Sequence, residues 1–338
     1  MSLLDSSIRT FSRPVDRRLI VPLLAAIAVA GALVVGVAIG PVYIGPGQVW
    51  QALIGHADTT SSLIIREIRL PRVLVGAMVG ANLAISGAIL QGVTRNPLAD
   101  PHVLGISAGA GVVAVAALVV FPGVPLGAVE PVAFVGGLVG GGLAYVMAWR
   151  GGVSPVRLAL AGIAVTSMLT AITSSILVTS SFSVQVALSW LVGGLNGRSW
   201  QHFDLILPYF LAGSLIALAM SRQLTIISLG DEVATNLGQK VERTRLLLVA
   251  LATLLASSAV SVAGLIGFVG LIVPHLARLT VGNDYRFQIP TAAFFGATLI
   301  ILADTAARTV LDPRELPVGV LTAMIGGPVF IYLVRKKA

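Results

Sequence analysis

Apolar runs of about twenty residues, separated by short polar segments, recur along almost the whole chain. A helix needs about 20 apolar residues to cross the hydrocarbon of a bilayer. The runs therefore predict spans near residues 19–40, 70–93, 103–121, 131–149, 157–178, 204–221, 246–263, 264–281, 289–309 and 318–334. Strand-period alternation is absent, and helices satisfy their own backbone polar groups within lipid. The expected fold is all-α, a single polytopic membrane domain of about ten helices over residues 1–338. Arg9, Arg13, Arg17 and Arg18 precede the first run as basic residues precede a secretory signal, but the run is longer than a signal's apolar region and is expected to be a span.

One segment breaks the pattern. Residues 222–245 form a polar, charged island in which Gly230 and Gly238 flank a short helical stretch, with Val233, Ala234 and Leu237 expected to share one apolar face. Two short helices with a bend fit this spacing. Such an element between two spans is expected to receive a soluble partner. Residues 179–203 form a second amphipathic stretch, with Trp190 and Trp200 placed as interfacial tryptophans usually are, and are expected to lie along the outer surface.

Composition agrees with a membrane protein: of 338 residues 56% are hydrophobic and 11% charged, with a mean hydropathy of +0.96. With the spans placed as above, sixteen of the 22 Lys and Arg residues fall on the side of the termini and the island. The positive-inside rule then puts both termini and the island in the cytoplasm. The net charge of +8 fits loops that face anionic lipid and calls for no nucleic acid. The chain has no cysteine, which excludes disulfides, thiolate metal sites and cysteine catalysis.

The 37 glycines cluster within spans, as at Gly76 and Gly80, Gly105 and Gly109, and Gly136 to Gly142, where small residues let helix backbones approach closely. Pro97, Pro101 and Pro274 interrupt or start helices because proline lacks the amide donor. Two Pro-His segments, at Pro101 and Pro274, each follow a glycine-rich helix and suggest an internal repeat of the transporter kind.

Candidate chemistry is sparse. No glycine-rich loop ending in Gly-Lys-Ser or Gly-Lys-Thr is present, so ATP hydrolysis would need a separate subunit. A proton-coupled secondary transporter would place carboxylates near mid-span, whereas the acids here are expected at span ends, with Asp304 paired to Arg308 one turn on. His56, His102, His202 and His275 show no ligand spacing, so no metal site is expected, and no catalytic constellation suggests an enzyme. Arg66, Arg69 and Arg72 cluster before the second span, with Pro71 expected as a first-turn proline. They fit interfacial anchors or sockets for carboxylates of an extracytoplasmic partner.

Several segments in order resemble the permease subunits of the FecCD-type ABC importers, which take up ferric siderophores, haem and cobalamin. They are Arg69-Leu-Pro-Arg72, Gln91 to Gly105, Ser228 to Gly238, Gly267 to Arg278, Ala303 to Arg308 and Glu315-Leu-Pro. The resemblance implies a ten-span permease paired with a paralogue or a second copy in a bacterial cytoplasmic (inner) membrane. It further implies two cytoplasmic subunits carrying ATP and Mg, an extracytoplasmic binding protein, and no cofactor in this chain. By motif, Arg69, Arg72 and Arg308 are expected to receive acidic residues of the binding protein. Ser228, Leu229, Gly230, Asp231, Glu232, Ala234, Leu237 and Gly238 match the coupling helices that sit in an ATPase cleft. Asn96 and Leu98, with Ser154, Pro155 and Val156, match cytoplasmic gate segments, although cobalamin-type relatives carry a small hydroxyl residue where this chain has Pro155. The segment Trp190 to Trp200 looks like siderophore systems, which makes a ferric siderophore the expected cargo, with haem or cobalamin next.

Overall fold

The computed structural model describes residues 17–335, apart from 43, 56–58, 122, 181–183 and 312–313. Arg9, Arg13, His56, Lys336 and Lys337 lie outside the described residues. The chain folds into helices α1 (Arg17–Ala38), α2 (Pro46–Ile54), α3 (Thr59–Leu63), α4 (Leu70–Thr94), α5 (Ile106–Val115), α6 (Val129–Ala148), α7 (Pro155–Thr179) and α8 (Val184–Val192). These are followed by α9 (Trp200–Ala219), α10 (Ser221–Ser228), α11 (Asp231–Asn236), α12 (Val241–Ala263), α13 (Val269–Val281), α14 (Tyr285–Ala307) and α15 (Val318–Arg335). Each of the ten predicted spans falls on a helix. Among the described residues, seven helical runs are long and apolar enough to cross a membrane, whereas Ile106–Val120, Val269–Val281 and Val318–Tyr332 are shorter.

The short helices have local causes. Arg95 ends α4 in the left-handed region at φ 52, Pro97 follows without an amide, and the chain folds back into the bundle before α5 starts at Ile106. Gly264 at φ 71 ends α12, and a non-helical stretch leads to Phe268 at φ 69, where α13 begins. These two breaks touch, with His102 Nε2 3.0 Å from the carbonyl of Ile266. Asp100 therefore does not lie at a span end as expected. A Cβ on Gly270 would stand 3.1 Å from its Oδ2 and 3.2 Å from the carbonyl of Leu83, which is halfway along α4. The carboxylate is buried beside the first turn of α13, where free amides favour negative charge.

The core is built around α4, which is apolar on all sides and buried over almost its whole length. It packs on α14, α12, α9 and α13, while α1 lies against α14, and α5, α6 and α7 form a second group joined through α12. Glycine makes the closest approaches. A Cβ on Gly80 would fall 2.1 Å from the carbonyl of Gly296, and one on Gly87 1.9 Å from that of Gly270. The predicted clusters on α5 and α6 meet each other, since a Cβ on Gly109 would sit 2.3 Å from the carbonyl of Gly136. In lipid this contact drives helix association, because apolar tails give no hydrophobic incentive. Polar side chains add interhelical bonds: Asn82 donates to Ser258 Oγ at 3.1 Å, Ser86 to the carbonyl of Ala252 at 2.7 Å, and Gln91 to that of Leu271 at 3.0 Å.

Pro71 stands in the first turn of α4, as the sequence suggests, but it does not open a new helix. Thr60–Thr94 is one continuous helical run with a π turn at Ile64–Arg69. The amide of Leu70 bonds the carbonyl of Ile65, five residues back, and this widened turn admits a proline that has no amide to offer. Nor do residues 179–203 lie wholly on the surface, for Ala187 and Leu195 are buried and Gly194 donates to the carbonyl of Ala263 at the end of α12.

Candidate functional site

The candidate side chains gather at opposite ends of α4, whose 25 residues span about 37 Å at 1.5 Å per residue. At its first turn stand the arginines. At its last turn stand the island and both segments expected to form the gate.

At the arginine end Arg69, Arg72 and Arg308, expected to receive a binding protein, are 3%, 6% and 3% exposed. Arg72 donates from Nε to Asp304 Oδ2 at 2.9 Å and from Nη2 to Oδ1 at 2.8 Å, and its Nη1 reaches Glu315 Oε2 at 2.9 Å. Arg69 donates from Nη1 to the carbonyls of Val37 at 3.1 Å and Ala38 at 2.8 Å, and from Nη2 to that of Val42. Arg308 donates to the carbonyl of Gly36 at 2.5 Å and to Thr305 Oγ1 at 3.2 Å. The last carbonyls of a helix lack intrahelical donors and attract cations. Arg69 and Arg308 thus cap the C-terminus of α1, while Arg72 ties α4 to α14 and to the segment before α15. The predicted Asp304–Arg308 pair exists at 3.7 Å, but the principal partner of Asp304 is Arg72.

Beside these arginines opens a cavity of about 430 Å³, lined among others by Arg72, Glu130, Trp190, Asn196, Arg198 and Glu315. Glu130 Oε1 lies 3.4 Å from both Arg198 Nη1 and His202 Nε2. Burial pushes the Arg198 guanidinium below its ordinary pKa, and Glu130 opposes that shift. Trp200 donates to the carbonyl of Arg66 at 3.0 Å, and Arg66 Nε donates to that of Ala52 at 2.6 Å. No local pattern marks Glu130, Trp190, Arg198 and Glu315 as lining residues of one cavity, because they come from three separate segments.

At the other end the island forms two short helices with a bend, as its glycines predict. Ser228 closes α10 with a bond from its Oγ to the carbonyl of Thr225, Leu229 follows, and Gly230 at φ 122 turns the chain into α11. Gly238 at φ 78 turns it out again. A φ of this kind costs a residue with a Cβ, so glycine belongs at both corners. The expected apolar face divides. Ala234 is buried, whereas Leu229, Val233 and Leu237, spaced four residues apart, are 62%, 43% and 62% exposed. Glu232 is exposed beside them.

Asp231, half-exposed, reaches the buried Arg245 at the same end. Its Oδ1 accepts from Arg245 at 2.8 Å and lies 3.4 Å from Arg95 Nη2. The expected gate segments flank it. Asn96 Oδ1 accepts from the amide of Leu98 at 2.9 Å, leaving the Leu98 side chain exposed. Ser154 caps α7 by accepting from the amide of Arg157 at 3.2 Å, with Pro155 as the first helical residue, and the side chain of Val156 is exposed.

Comparison with known proteins agrees with this architecture. The chain is 46% identical over 279 residues to the cobalamin import system permease protein BtuC of Halobacterium salinarum, covering 82% of this chain and 75% of that one. It is 44% identical over 274 residues to the Fe(3+)-citrate import system permease protein YfmD of Bacillus subtilis, covering 81% and 82%. It is 39% identical over 327 residues to YfmE of the same organism, covering 97% and 98%. A solved structure described as an inward-facing ABC transporter of metal-chelate type superposes with a TM-score of 0.86 at 31% identity, covering 94% of this chain and 99% of that one. Residues 25–336 match the FecCD transport family. The chain belongs to that family of ABC transporter permeases.

Proposed function

We propose that this chain is the permease subunit of an ATP-driven importer that moves a ferric siderophore from an extracytoplasmic binding protein into the cytoplasm. One observation carries the reading: α11, with exposed Val233 on it and exposed Leu229 and Leu237 on either side, sits at the end of the bundle where both expected gate segments lie, in a chain with no phosphate-binding loop of its own. Two ATPase subunits, holding ATP and Mg, receive this surface. A second permease, a paralogue or another copy, completes the pathway against an apolar outer face such as that of α7, where Leu160, Ile163 and Met168 are exposed. The membrane is the bacterial inner membrane, with the island and both termini on the cytoplasmic side, where the basic residues concentrate. Transport proceeds by movement of helices between two packings, with no covalent chemistry in the permease.

The binding protein docks at the arginine end. Of the three arginines there, Arg72 has the exchangeable partner, because the Glu315 side chain is 26% exposed and a carboxylate of the binding protein can take its place. Arg69 and Arg308 hold the surface in shape through α1. Charge complementarity of this kind sets orientation and encounter rate more than affinity.

The iron-chelate permeases among the relatives support a siderophore as cargo. The halobacterial cobalamin permease supports cobalamin as the second reading. The complex reconstituted with its ATPase and binding protein separates the two. Stimulation of ATP hydrolysis by a ferric hydroxamate or ferric citrate, with none by cobalamin, is the expected result; the reverse order would assign cobalamin.

A further inference from the structure

Arg245 is 1% exposed at the point where α12 leaves the island, and it joins three separate parts of the chain. It donates from Nη1 to the carbonyl of Val153 at 2.6 Å and to Glu242 Oε1 at 2.7 Å, and from Nη2 to Asp231 Oδ1 at 2.8 Å. The other oxygen of Glu242 accepts from the amide of Val153 at 3.0 Å. Val153, immediately before the Ser154 cap of α7, is therefore held through both its backbone polar groups.

The same oxygen of Asp231 lies 3.4 Å from Arg95 Nη2. Arg95 is one of the two non-glycine residues at positive φ among the described residues, and it sets the direction in which the Asn96–Leu98 segment leaves α4. Such a conformation persists where its surroundings hold it. Its guanidinium is held on α11, close enough that a Cβ on Gly230 would lie 3.4 Å from Nη1. One carboxylate on α11 is thus linked to the segment that starts α7 and to the segment that ends α4.

We propose that Arg245 and Arg95 are positioning residues that transmit a displacement of α11 to both gate segments, so that Asn96 and Leu98 move together with Ser154 and Pro155. If the buried Arg245 guanidinium leaves any of its partners behind it strands an unpaired polar group, so Val153, Glu242 and Asp231 move with it as a unit. A lysine cannot replace this function, since its ammonium is a compact point charge without the planar fork that reaches several acceptors in fixed directions. The inference rests on α11 being the surface an ATPase moves.

The chain has no cysteine, so single labels can be introduced without background. Spin labels at L98C and, separately, at V156C, each paired with one at V42C beside the arginine end, all exposed positions, report the displacement of each gate segment in the full complex with and without ATP. In the otherwise unchanged protein ATP is expected to shift both distances. In Arg95→Gln and Arg245→Lys the shift is expected to be lost, and substrate transported per ATP hydrolysed is expected to fall about five-fold or more, the lower end of coupling between two sites. A retained shift and an unchanged transport-to-hydrolysis ratio in both variants would overturn the proposal. So would loss of ATPase co-purification with Arg95→Gln, because the residue would then serve docking. Should Arg245→Lys fail to fold, Arg95→Gln still decides, its side chain being 37% exposed. If the unmutated chain neither retains an ATPase nor supports ATP-dependent uptake, the importer reading itself has failed, and that shows before any variant is made.

Discussion

Arg72 and Asp304 meet across 232 positions of sequence, with Nε 2.9 Å and Nη2 2.8 Å from the two carboxylate oxygens and both side chains almost fully buried. The pair locks the start of α4 to the end of α14. It is the geometry in which guanidinium and carboxylate match best.

Removal of one partner from such a pair leaves a buried charge uncompensated, so Arg72→Ala is expected to cost about 3–5 kcal/mol. Arg72→Met together with Asp304→Leu removes both charges and is expected to recover most of that loss. Glu315→Gln, at the partly exposed edge, is expected to cost about 1 kcal/mol or less. Thermal unfolding in detergent of the variants measures all three. A double variant as unstable as Arg72→Ala would show that the pair is not the reason for the loss.

Glycine substitutions sort by position. Gly87→Ala forces a Cβ to within 1.9 Å of the backbone carbonyl of Gly270 and is expected to destabilise by about 1–3 kcal/mol or more, as overpacking does. Gly142, on α6, has open space where a Cβ would go, so Gly142→Ala is expected to stabilise by about 0.5–1 kcal/mol through helix propensity. Equal unfolding temperatures for the two variants would contradict this packing.

The exposed row on the island is expected to carry the ATPase contact. Leu229→Asp combined with Leu237→Asp is expected to weaken ATPase binding by about 30-fold, as loss of a 2 kcal/mol interface anchor does, with the permease still folded. Unchanged affinity in a direct binding assay would move the contact elsewhere.

Asp284 caps α14 by accepting from the amide of Arg286, and hydrogen bonds from the Arg286 side chain hold its carboxyl below the usual carboxylate range. A carboxyl depressed in the folded state adds stability that is complete above its unfolded pKa of about 4 and is lost as pH falls through the lower folded value. Asp284→Asn keeps a cap but removes this titration. Its unfolding temperature is expected to fall less steeply below about pH 4 than that of the parent. Identical acid-side curves would show that Asp284 is not a source of the dependence.

The helical fold and the island were legible because both are written in local patterns. Twenty-residue apolar runs place the spans, and Gly230 and Gly238 mark the corners of α11. Hydropathy could not show that α5 and α13 begin midway through the bundle, because the stretches before them, 96–105 and 264–268, are as apolar or as proline-rich as helix flanks usually are. Asp100 was misplaced for that reason. The three arginines were recognisable as a set, but not their burial, which depends on α1 ending beside α4 and α14 so that its last carbonyls need donors. The joining role of Arg245 had no local signal, since its partners Val153 and Asp231 are 92 and 14 positions away.

On the proposed function, ATP hydrolysed by a partner on the island drives uptake through this chain. Uptake is measured in proteoliposomes that hold the permease with its ATPase subunits inside, with the loaded binding protein added outside. Accumulation of ferric siderophore that requires internal ATP and is indifferent to dissipation of the proton gradient is the predicted result. Accumulation that persists without ATP and collapses with the proton gradient would contradict it.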